Sequence, residues 1–303
     1  MTPALPSGYT SRPLDMPDAG AVTAVMAAQE LYDVGEVVIE EADIVGDWQR
    51  PSFDVPDSTI GVFDGDQLVA YAEVANGDRG DAAVHPDHRG RGLGTWLARW
   101  MQVRAREKGS PVIGMPAPEG SDGDRLMAAL GYHVRWRSWV LQLPPGASVP
   151  ARPLPEGYSI RAAEPDECRT CWTVVEDAFL EWSVRAREEY DDWAASVVRR
   201  PGFDPWNLRV VLDPSGTVVG VAVLQLAGET AYISRLATRR DQRGLGLAQA
   251  LLVDAFAQGA AHGATVSELS TDSRTGALGL YEKVGMKVTS TWVNRAIQVG
   301  AAG

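Results

Sequence analysis

The chain carries one glycine-rich string twice, and this repetition limits the fold more than any other feature. Residues 89–94 read RGRGLG and residues 243–248 read RGLGLA, with the two leading arginines 154 positions apart (243 − 89). Gly131 and Gly285 have the same separation, and the Gly-Tyr pairs that begin at Gly8 and Gly157 are 149 positions apart (157 − 8). Landmarks in the same order at a nearly constant offset predict a tandem duplication of a whole domain.

The length of the chain and a proline-rich segment predict where the two copies meet. A chain of 303 residues fits two domains of roughly 150 residues each. Between Pro144 and Gly157 the sequence is rich in proline, which cannot continue a helix or an interior strand. We therefore predict an N-terminal domain at residues 1–146, a linker at 147–156 and a C-terminal domain at 157–303.

Composition excludes several classes of protein. The contents of 45% hydrophobic and 22% charged residues are typical of a globular protein. No apolar stretch approaches the roughly 20 residues that span a bilayer, and the N-terminus lacks the pattern of a secretory signal. We therefore expect a cytoplasmic protein without a membrane partner. The net charge of −12 argues against nucleic-acid binding, which depends on Lys and Arg.

The two cysteines of the chain form one C-x-x-C pattern, at Cys168 and Cys171. This spacing occurs in redox and metal sites, but a metal site would need two further ligands. The pair lies in a predicted helix, and the sequence contains no second C-x-x-C. We expect structural roles for both thiols and no bound metal.

Each copy shows the same order of local patterns. A short strand, helices, a hairpin, a strand before the glycine string, a helix, a strand, a short helix and a long strand follow one another. The first hairpin turns at Asp64-Gly65, a dipeptide typical of tight turns between strands. The predicted fold class is α/β (α+β), with two tandem domains that each contain a mixed, mainly antiparallel sheet flanked by helices.

The glycine string stands between a predicted strand and a predicted helix, a setting that can bind an anion. Backbone N–H groups and the positive end of the helix dipole face such a ligand, most often a phosphate. A dinucleotide-binding loop would follow the first strand of a βαβ unit, whereas this string follows the fourth strand. A nucleoside-triphosphate loop needs Gly-Lys-Ser/Thr, which is missing here. A plain strand-to-helix turn without a ligand remains the alternative.

The strings Arg89-x-x-Gly92-x-Gly94 and Arg243-x-x-Gly246-x-Ala248 resemble the signature of the GCN5-related N-acetyltransferase (GNAT) superfamily. The segment 280–286, LYEKVGM, is similar to the second hallmark of that family. The resemblance covers nearly the whole chain as two copies, and the layout is similar to that of the mycothiol synthase-like tandem members. It implies a fold of two tandem GNAT domains and acetyl-coenzyme A (acetyl-CoA) as the cofactor.

In this family the amides of the string bind the pyrophosphate of acetyl-CoA, and the preceding strand end pairs with the pantetheine arm. Ser273 stands where the family often has an asparagine, and its hydroxyl is expected to hydrogen-bond the arm. The resemblance thus assigns cofactor binding, in the first copy, to Ala82, Ala83, Val84, Arg89, Gly90, Arg91, Gly92, Leu93, Gly94 and Thr95. In the second copy it assigns Leu236, Ala237, Thr238, Arg243, Gly244, Leu245, Gly246, Leu247 and Ala248.

The resemblance implies N-acetyltransfer, by direct attack of a primary amine of a small molecule on the thioester. Tyr281 is expected to act as the general acid, since a phenol can protonate the leaving thiolate. Glu229 is a candidate general base, and Ser234 is another, acting through a water molecule. The first copy has Met127 at the position of Tyr281, and a thioether cannot donate a proton. We expect that copy to keep the cofactor site but to be weakly active or structural.

The acceptor is expected to bind near the helices between the first two strands of the second copy. Carboxylates and aromatic rings there could hold a cationic amine, although a solvated amphipathic helix explains the same pattern. The residues of this acidic-aromatic patch are Glu181, Trp182, Glu188, Glu189, Tyr190, Asp191, Asp192 and Trp193. Two alternatives remain, a protein or peptide acceptor and a non-catalytic acyl-CoA-binding sensor. We expect a monomer or a homodimer.

Overall fold

The computed structural model describes residues 4–300, which divide into two compact units. The first unit contains residues 4–137 and 291–300, and the second contains residues 138–290. Each unit is a mainly antiparallel sheet with helices on both faces, as the repeated sequence pattern predicts. Within the described range, no helix has the length and hydropathy needed to cross a bilayer.

The first unit contains the first glycine string, which leads into the long helix α4. Its strands are β1 (Thr10–Arg12), β2 (Thr59–Asp64), β3 (Gln67–Ala75), β4 (Arg79–Val84), β5 (Val112–Pro118) and β6 (His133–Gln142). Its helices are α1 (Ala19–Asp33), α2 (Glu41–Trp48), α3 (Val55–Ser58), α4 (Leu93–Glu107) and α5 (Asp122–Ala129). The sheet order is β1-β2-β3-β4-β5, and the β4–β5 pair is parallel.

The second unit repeats this plan with one helix fewer. The strands of the second repeat are β7 (Ser159–Ala162), β8 (Leu208–Leu212), β9 (Val218–Ala227), β10 (Thr230–Thr238), β11 (Val266–Asp272) and β12 (Lys287–Gln298), and β12 runs into the first unit from residue 291. The helices of this repeat are α6 (Cys168–Phe179), α7 (Tyr190–Ser196), α8 (Leu247–Ala261) and α9 (Leu278–Lys283). The sheet order is β7-β8-β9-β10-β11, and β10 and β11 are parallel.

The last strand of each repeat crosses from one unit to the other. Residues 292–298 of β12 pair with β5 in the first unit, from Trp292 opposite Pro118 to Gln298 opposite Val112. Residues 138–142 of β6 pair with β11 in the second unit. The division therefore differs from the predicted limits of 1–146 and 157–303. A local pattern identifies a strand but not its partner, so the exchange leaves no trace in either strand's sequence.

Each sheet has an apolar core on both faces. In the second unit one core lies under α8 and contains Leu251 and Tyr281, and the other lies under α6 and contains Val175 and Ala237. In the first unit the core under α4 contains Leu97 and Met127. The opposite core, under α1 and α2, contains Trp48, Tyr71 and Ala83. Alternate residues of one strand therefore belong to different cores.

Two buried carboxylates face each other in the first unit, across the pairing of β3 with β4. Glu73 on β3 lies directly opposite Asp81 on β4. The Glu73 side chain is 9% exposed, and its Oε2 accepts a hydrogen bond of 2.9 Å from the indole N–H of Trp48. Burial, and next the charge of Asp81, raise the pKa of Glu73 to about 7. Burial also raises the pKa of Asp81.

The raised pKa of Glu73 predicts that stability falls with rising pH. Between the unfolded value of 4.5 and about 7, the native state binds more protons than the unfolded state, so the free energy of unfolding decreases through this range. Glu73→Gln keeps an acceptor for Trp48 but cannot ionise. At pH 8 we expect the free energy of unfolding of this variant to be about 3 kcal/mol higher than that of the wild type. Urea denaturation at pH 5 and pH 8 measures the difference. Glu36→Gln, at an exposed position, is the control. The same pH dependence in wild type and Glu73→Gln would refute this prediction.

Candidate functional site

Both glycine strings form a left-handed turn that begins a long helix. The φ angles are 74° at Gly90, 86° at Gly92, 81° at Gly244 and 80° at Gly246. Side chains with a Cβ rarely adopt this conformation. Gly92 and Gly246 are the N-caps of α4 and α8, so the free N–H groups of the first helical turn lie beside the string. Each string therefore has the geometry of an anion site.

The first arginine of each string forms an ion pair with a carboxylate at the C-terminal end of a long helix, α1 or α6. Arg89 donates two hydrogen bonds of 2.8 Å to Asp33, at the end of α1. Arg243 donates bonds of 2.9 and 2.7 Å to Glu181, just after α6. The two guanidinium groups thus anchor the strings, and the backbone N–H groups are left to face a ligand.

A cation that the sequence pattern did not indicate lies against the second string. A Cβ built on Gly246 would collide with the Arg152 side chain, whereas the nearest atom to the equivalent Cβ on Gly92 belongs to Pro6, at 3.6 Å. No described residue forms an ion pair with Arg152. Arg152 lies in the proline-rich segment that was predicted to be a linker, and only the folded chain brings it to the string.

The parallel strands separate just before each string. In the second unit β10 and β11 pair only from Thr230–Val266 to Ile233–Leu269, while β10 stays paired with β9 up to Thr238. In the first unit β4 pairs with β5 only at Arg79. Each sheet therefore has an opening beside the strand end that was predicted to receive the pantetheine arm.

Alternate residues of the strand ends present their backbone groups to these openings. The N–H of Arg239 donates to the carbonyl of Val219. Because hydrogen-bonded and non-hydrogen-bonded pairs alternate along an antiparallel ladder, the next pair, Thr238 opposite Gly220, has no mutual hydrogen bonds. The N–H and C=O groups of Thr238 and Leu236 consequently point away from β9, and those of Ala237 point toward it. In the first unit the N–H of His85 donates to the carbonyl of Val69. By the same alternation the backbone groups of Val84 and Ala82 point away from β3, and those of Ala83 point toward it.

The two openings differ in whether their N–H donors are already used. In the first unit the Asp81 carboxylate accepts from the N–H of Ala82 at 2.8 Å, and the Gln29 side chain accepts from that of Val84 at 3.1 Å. In the second unit, no described residue accepts from the N–H of Leu236 or Thr238. The second opening alone can therefore pair with an added extended chain at both positions.

A β-bulge lies at the point where β10 leaves β11. The register with β9 shifts between Ile233 and Arg235, so Ser234 is an extra residue on this strand. The Ser234 hydroxyl donates to the carbonyl of Val223 at 3.4 Å. The pairing of β3 with β4 shows no such shift. Bulges reorient side chains and are common next to active sites.

Tyr281 lies on α9 in the core under α8, together with Leu236 and Leu247. Its side chain is 8% exposed, and burial, with a smaller effect of Tyr232, raises the pKa of Tyr281 to about 12. Among residues 4–300 the Tyr281 hydroxyl has no hydrogen-bond partner. A buried phenol with a raised pKa keeps its proton at neutral pH and can donate it to a ligand.

Met127 occupies the equivalent position in the first unit and is buried in the core under α4. The nearby Tyr132 does not replace the phenol, because its hydroxyl already bonds to Gln102 at 3.2 Å and to the carbonyl of Ala98 at 3.4 Å. The first unit therefore has no free phenol at this position.

Ser273 follows β11 at the edge of the sheet where the string follows β10, and Tyr281 shares a core with Leu247 of the string, whereas Glu229 lies elsewhere. Because β10 and β11 are parallel, their carboxyl ends, and the segments that follow them, lie at one edge of the sheet. Glu229 precedes β10 and lies at the opposite edge, where its carboxylate accepts a bond of 2.9 Å from Thr265. The assignment of Glu229 as general base is therefore wrong, because the whole length of β10 separates its carboxylate from the string.

The acidic-aromatic patch binds cations of the chain itself. Glu181 is paired with Arg243, and the guanidinium of Arg169 lies 4.1 Å from the ring centroid of Tyr190. Asp191 likewise forms an ion pair with Arg199, and the guanidinium of Arg274 lies over the ring of Trp182. These groups are therefore engaged in internal contacts, in agreement with the interpretation as an ordinary amphipathic surface.

The two thiols lie on the first turn of α6, and neither is activated. Burial raises the pKa of Cys171 to about 12 and also raises that of Cys168. Thiolates are the reactive form, so these side chains act as small apolar groups. Within residues 4–300, no group of three or more His, Cys, Asp or Glu side chains is arranged to hold a metal ion.

Comparison with known proteins finds similarity over most of the chain. The model of the acetyltransferase (GNAT) family matches residues 25–118 and 168–286. A mycothiol acetyltransferase of Salinispora arenicola is 29% identical over 251 residues, which are 75% of this chain and 77% of the relative. A mycothiol acetyltransferase of Sanguibacter keddieii is 28% identical over 272 residues, 86% of this chain and 82% of the relative.

Solved structures show the same architecture. A GCN5-related N-acetyltransferase from Sphaerobacter thermophilus superposes with a TM-score of 0.76 at 27% identity, over 99% of this chain and 98% of that one. A tandem GNAT protein from the clavulanic acid biosynthesis pathway has a TM-score of 0.73 at 18% identity, over 97% of this chain and 100% of that one. The second likeness concerns the fold alone.

Proposed function

Since the chain belongs to the acetyltransferase (GNAT) family, we propose that its second unit transfers an acetyl group from acetyl-CoA to a primary amine of a small molecule. One observation carries this assignment to the second unit. That unit combines an open strand edge at Leu236 and Thr238 with an unpartnered phenol at Tyr281. The equivalent places in the first unit have occupied donors and Met127.

The residues of the second unit fit acetyl-CoA. The N–H groups of residues 244–248 face the pyrophosphate, and Arg152 adds a positive charge beside Gly246. The open edge at Leu236 and Thr238 pairs with the pantetheine amides, and Ser273 adds a hydroxyl. A Cβ at Gly246 would collide with the Arg152 side chain, so the glycine allows this cation to lie against the string. Bound acetyl-CoA supplies an activated acetyl thioester.

In this proposal Tyr281 holds a proton for the departing sulfur. Its raised pKa keeps the phenol neutral over the whole physiological range, so the proton is always in place. Among the described residues the hydroxyl has no hydrogen-bond partner to give up when it binds a ligand. The acceptor amine reacts in its uncharged form, and Ser234 at the bulge is the polar group available to a water molecule that removes a proton. The first unit is a structural copy, or it holds the donor without using it.

The test is an acetyl-CoA assay that follows thiol release with a panel of small primary amines. The acceptor of the mycothiol acetyltransferases belongs in this panel, together with amino acids and short peptides. Acetylated product from a small amine supports the proposal. Tight acetyl-CoA binding without transfer to any member contradicts it and favours a non-catalytic sensor, and transfer to peptides alone favours a peptide acceptor.

A further inference from the structure

The two units carry opposite charges at the same place in the sheet. In the first unit Asp81 on β4 lies opposite Glu73 on β3. In the second unit Arg235 on β10 lies opposite Val223 on β9. Asp81 and Arg235 are 154 positions apart (235 − 81), the offset of the glycine strings. A pair of acids in one copy is thus replaced by a single cation in the other.

Arg235 is the first residue of β10 past the point where the sheet opens. Pairing with β11 ends at Ile233, Ser234 forms the bulge, and pairing with β9 resumes at Arg235. Ala237, two residues further on, belongs to the core under α6, whereas Leu236 belongs to the core under α8. By strand alternation the Arg235 side chain lies on the α6 face. This face is opposite to that of Tyr281.

The charge of Arg235 is not neutralised by the chain. Its guanidinium donates to the carbonyl of Ser234 at 3.0 Å, and no described carboxylate forms an ion pair with it. The side chain is half-buried, so part of its hydration is lost without a compensating anion.

The acids of the helices that pack on this face are already engaged. Glu176 and Asp177 of α6 are paired with Arg185 and Arg187, and Glu181 in the loop after it is paired with Arg243. Those of α7 are engaged as well, Asp191 with Arg199 and Asp192 through a further contact. None of the described acids of α6 and α7 forms an ion pair with Arg235, so its charge is available to an acceptor at the opening.

We infer that Arg235 binds an anionic group of the acceptor, so that the substrate is a primary amine close to a carboxylate, as in an α-amino acid. The inference rests on the proposed function of the second unit. Arg235 pairs with the carboxylate in two parallel hydrogen bonds, which holds the amine on the α6 face of the opening. A purely cationic amine is repelled from the same place. Arg235 thus favours acceptors with an anionic group, whereas the acid pair of the first unit would favour cationic ones.

The test compares acceptors that differ only in the carboxylate. L-Alanine and L-phenylalanine are each paired with their carboxamide, and kcat/KM is corrected for the fraction of uncharged amine. We expect the wild type to favour the acids by about 10- to 100-fold. Arg235→Gln should remove this preference by lowering kcat/KM for the acids alone, and Arg235→Lys should retain part of it. Arg99→Gln, at an exposed position on α4, is the matched control.

Two results would overturn the inference. One is equal kcat/KM for acid and amide in the wild type, and the other is an equal loss for both in Arg235→Gln. Calorimetric titration of the same compounds into CoA-saturated protein gives a second readout that needs no turnover. Preferential binding of the acids that is lost in Arg235→Gln supports the inference even if no acceptor is acetylated. In that case only the proposed catalytic function fails.

Discussion

Replacing Tyr281 by phenylalanine is expected to lower kcat by about 100-fold or more, because a positioned general acid contributes on that scale. The affinity for CoA should stay within about two-fold, since the ring and its apolar contacts with Leu236 and Leu247 are kept. The wild-type hydroxyl has no partner in the described chain, so its removal should not lower the free energy of unfolding. Steady-state kinetics, CoA titration and urea denaturation measure the three quantities.

Tyr132→Phe in the first unit is the matched control for this variant. Tyr132 is also a buried phenol, but its hydroxyl is hydrogen-bonded to Gln102 and Ala98, so its loss should cost about 1 kcal/mol of stability and leave kcat unchanged. A Tyr281→Phe enzyme with full kcat would contradict the assignment of the acid. A loss of stability in parallel with the loss of kcat would instead indicate a structural role.

Gly246→Ala is expected to raise the donor KM by about 10-fold or more. A left-handed residue with a Cβ costs about 1–2 kcal/mol, and here the Cβ also meets Arg152. Relief of that contact moves the string or Arg152, and both carry the proposed phosphate contacts. The effect should appear as weaker CoA binding in calorimetry and as a higher KM for acetyl-CoA, with a smaller change in kcat.

Gly92→Ala imposes similar backbone strain on the first unit. Its φ of 86° is also left-handed, and the nearest atom to the new Cβ is Pro6 at 3.6 Å. We expect a comparable loss of stability but an unchanged donor KM, because the strand edge there is occupied by Asp81 and Gln29. Equal increases in donor KM for the two variants would contradict the assignment of the catalytic donor site to the second unit.

Much of the local structure could be predicted because it depends on near neighbours in the chain. Alternation, helical spacing and the Asp64-Gly65 turn indicated the order of strands and helices in both copies, which the structure confirms. The offset of 154 between the strings identified Met127 as the counterpart of Tyr281. Such features are read from residues a few positions apart or from comparison of the copies, so the sequence is sufficient for them.

Other features depend on partners that are distant in the sequence. The assignment of Glu229 failed because Glu229 precedes β10 and the string follows it, so the full length of the extended strand separates the two. The sequence left both a binding role and a solvated amphipathic surface open for the acidic-aromatic patch, and its arginine partners are distant in the sequence. Arg152 belongs to a segment without periodicity, and nothing in its neighbours predicts its contact with Gly246.

The sequence by itself determined the duplication, the two glycine strings and the loss of a phenol from one copy, because each of these is a property of residue identity and spacing. Only the tertiary structure shows which copy has free backbone donors at the strand end before its string. The donors of Ala82 and Val84 are occupied and those of Leu236 and Thr238 are free, and the last strands are exchanged between the units. Hydrogen-bond occupancy and strand pairing depend on contacts across the fold, which a repeat of nearly identical patterns cannot distinguish.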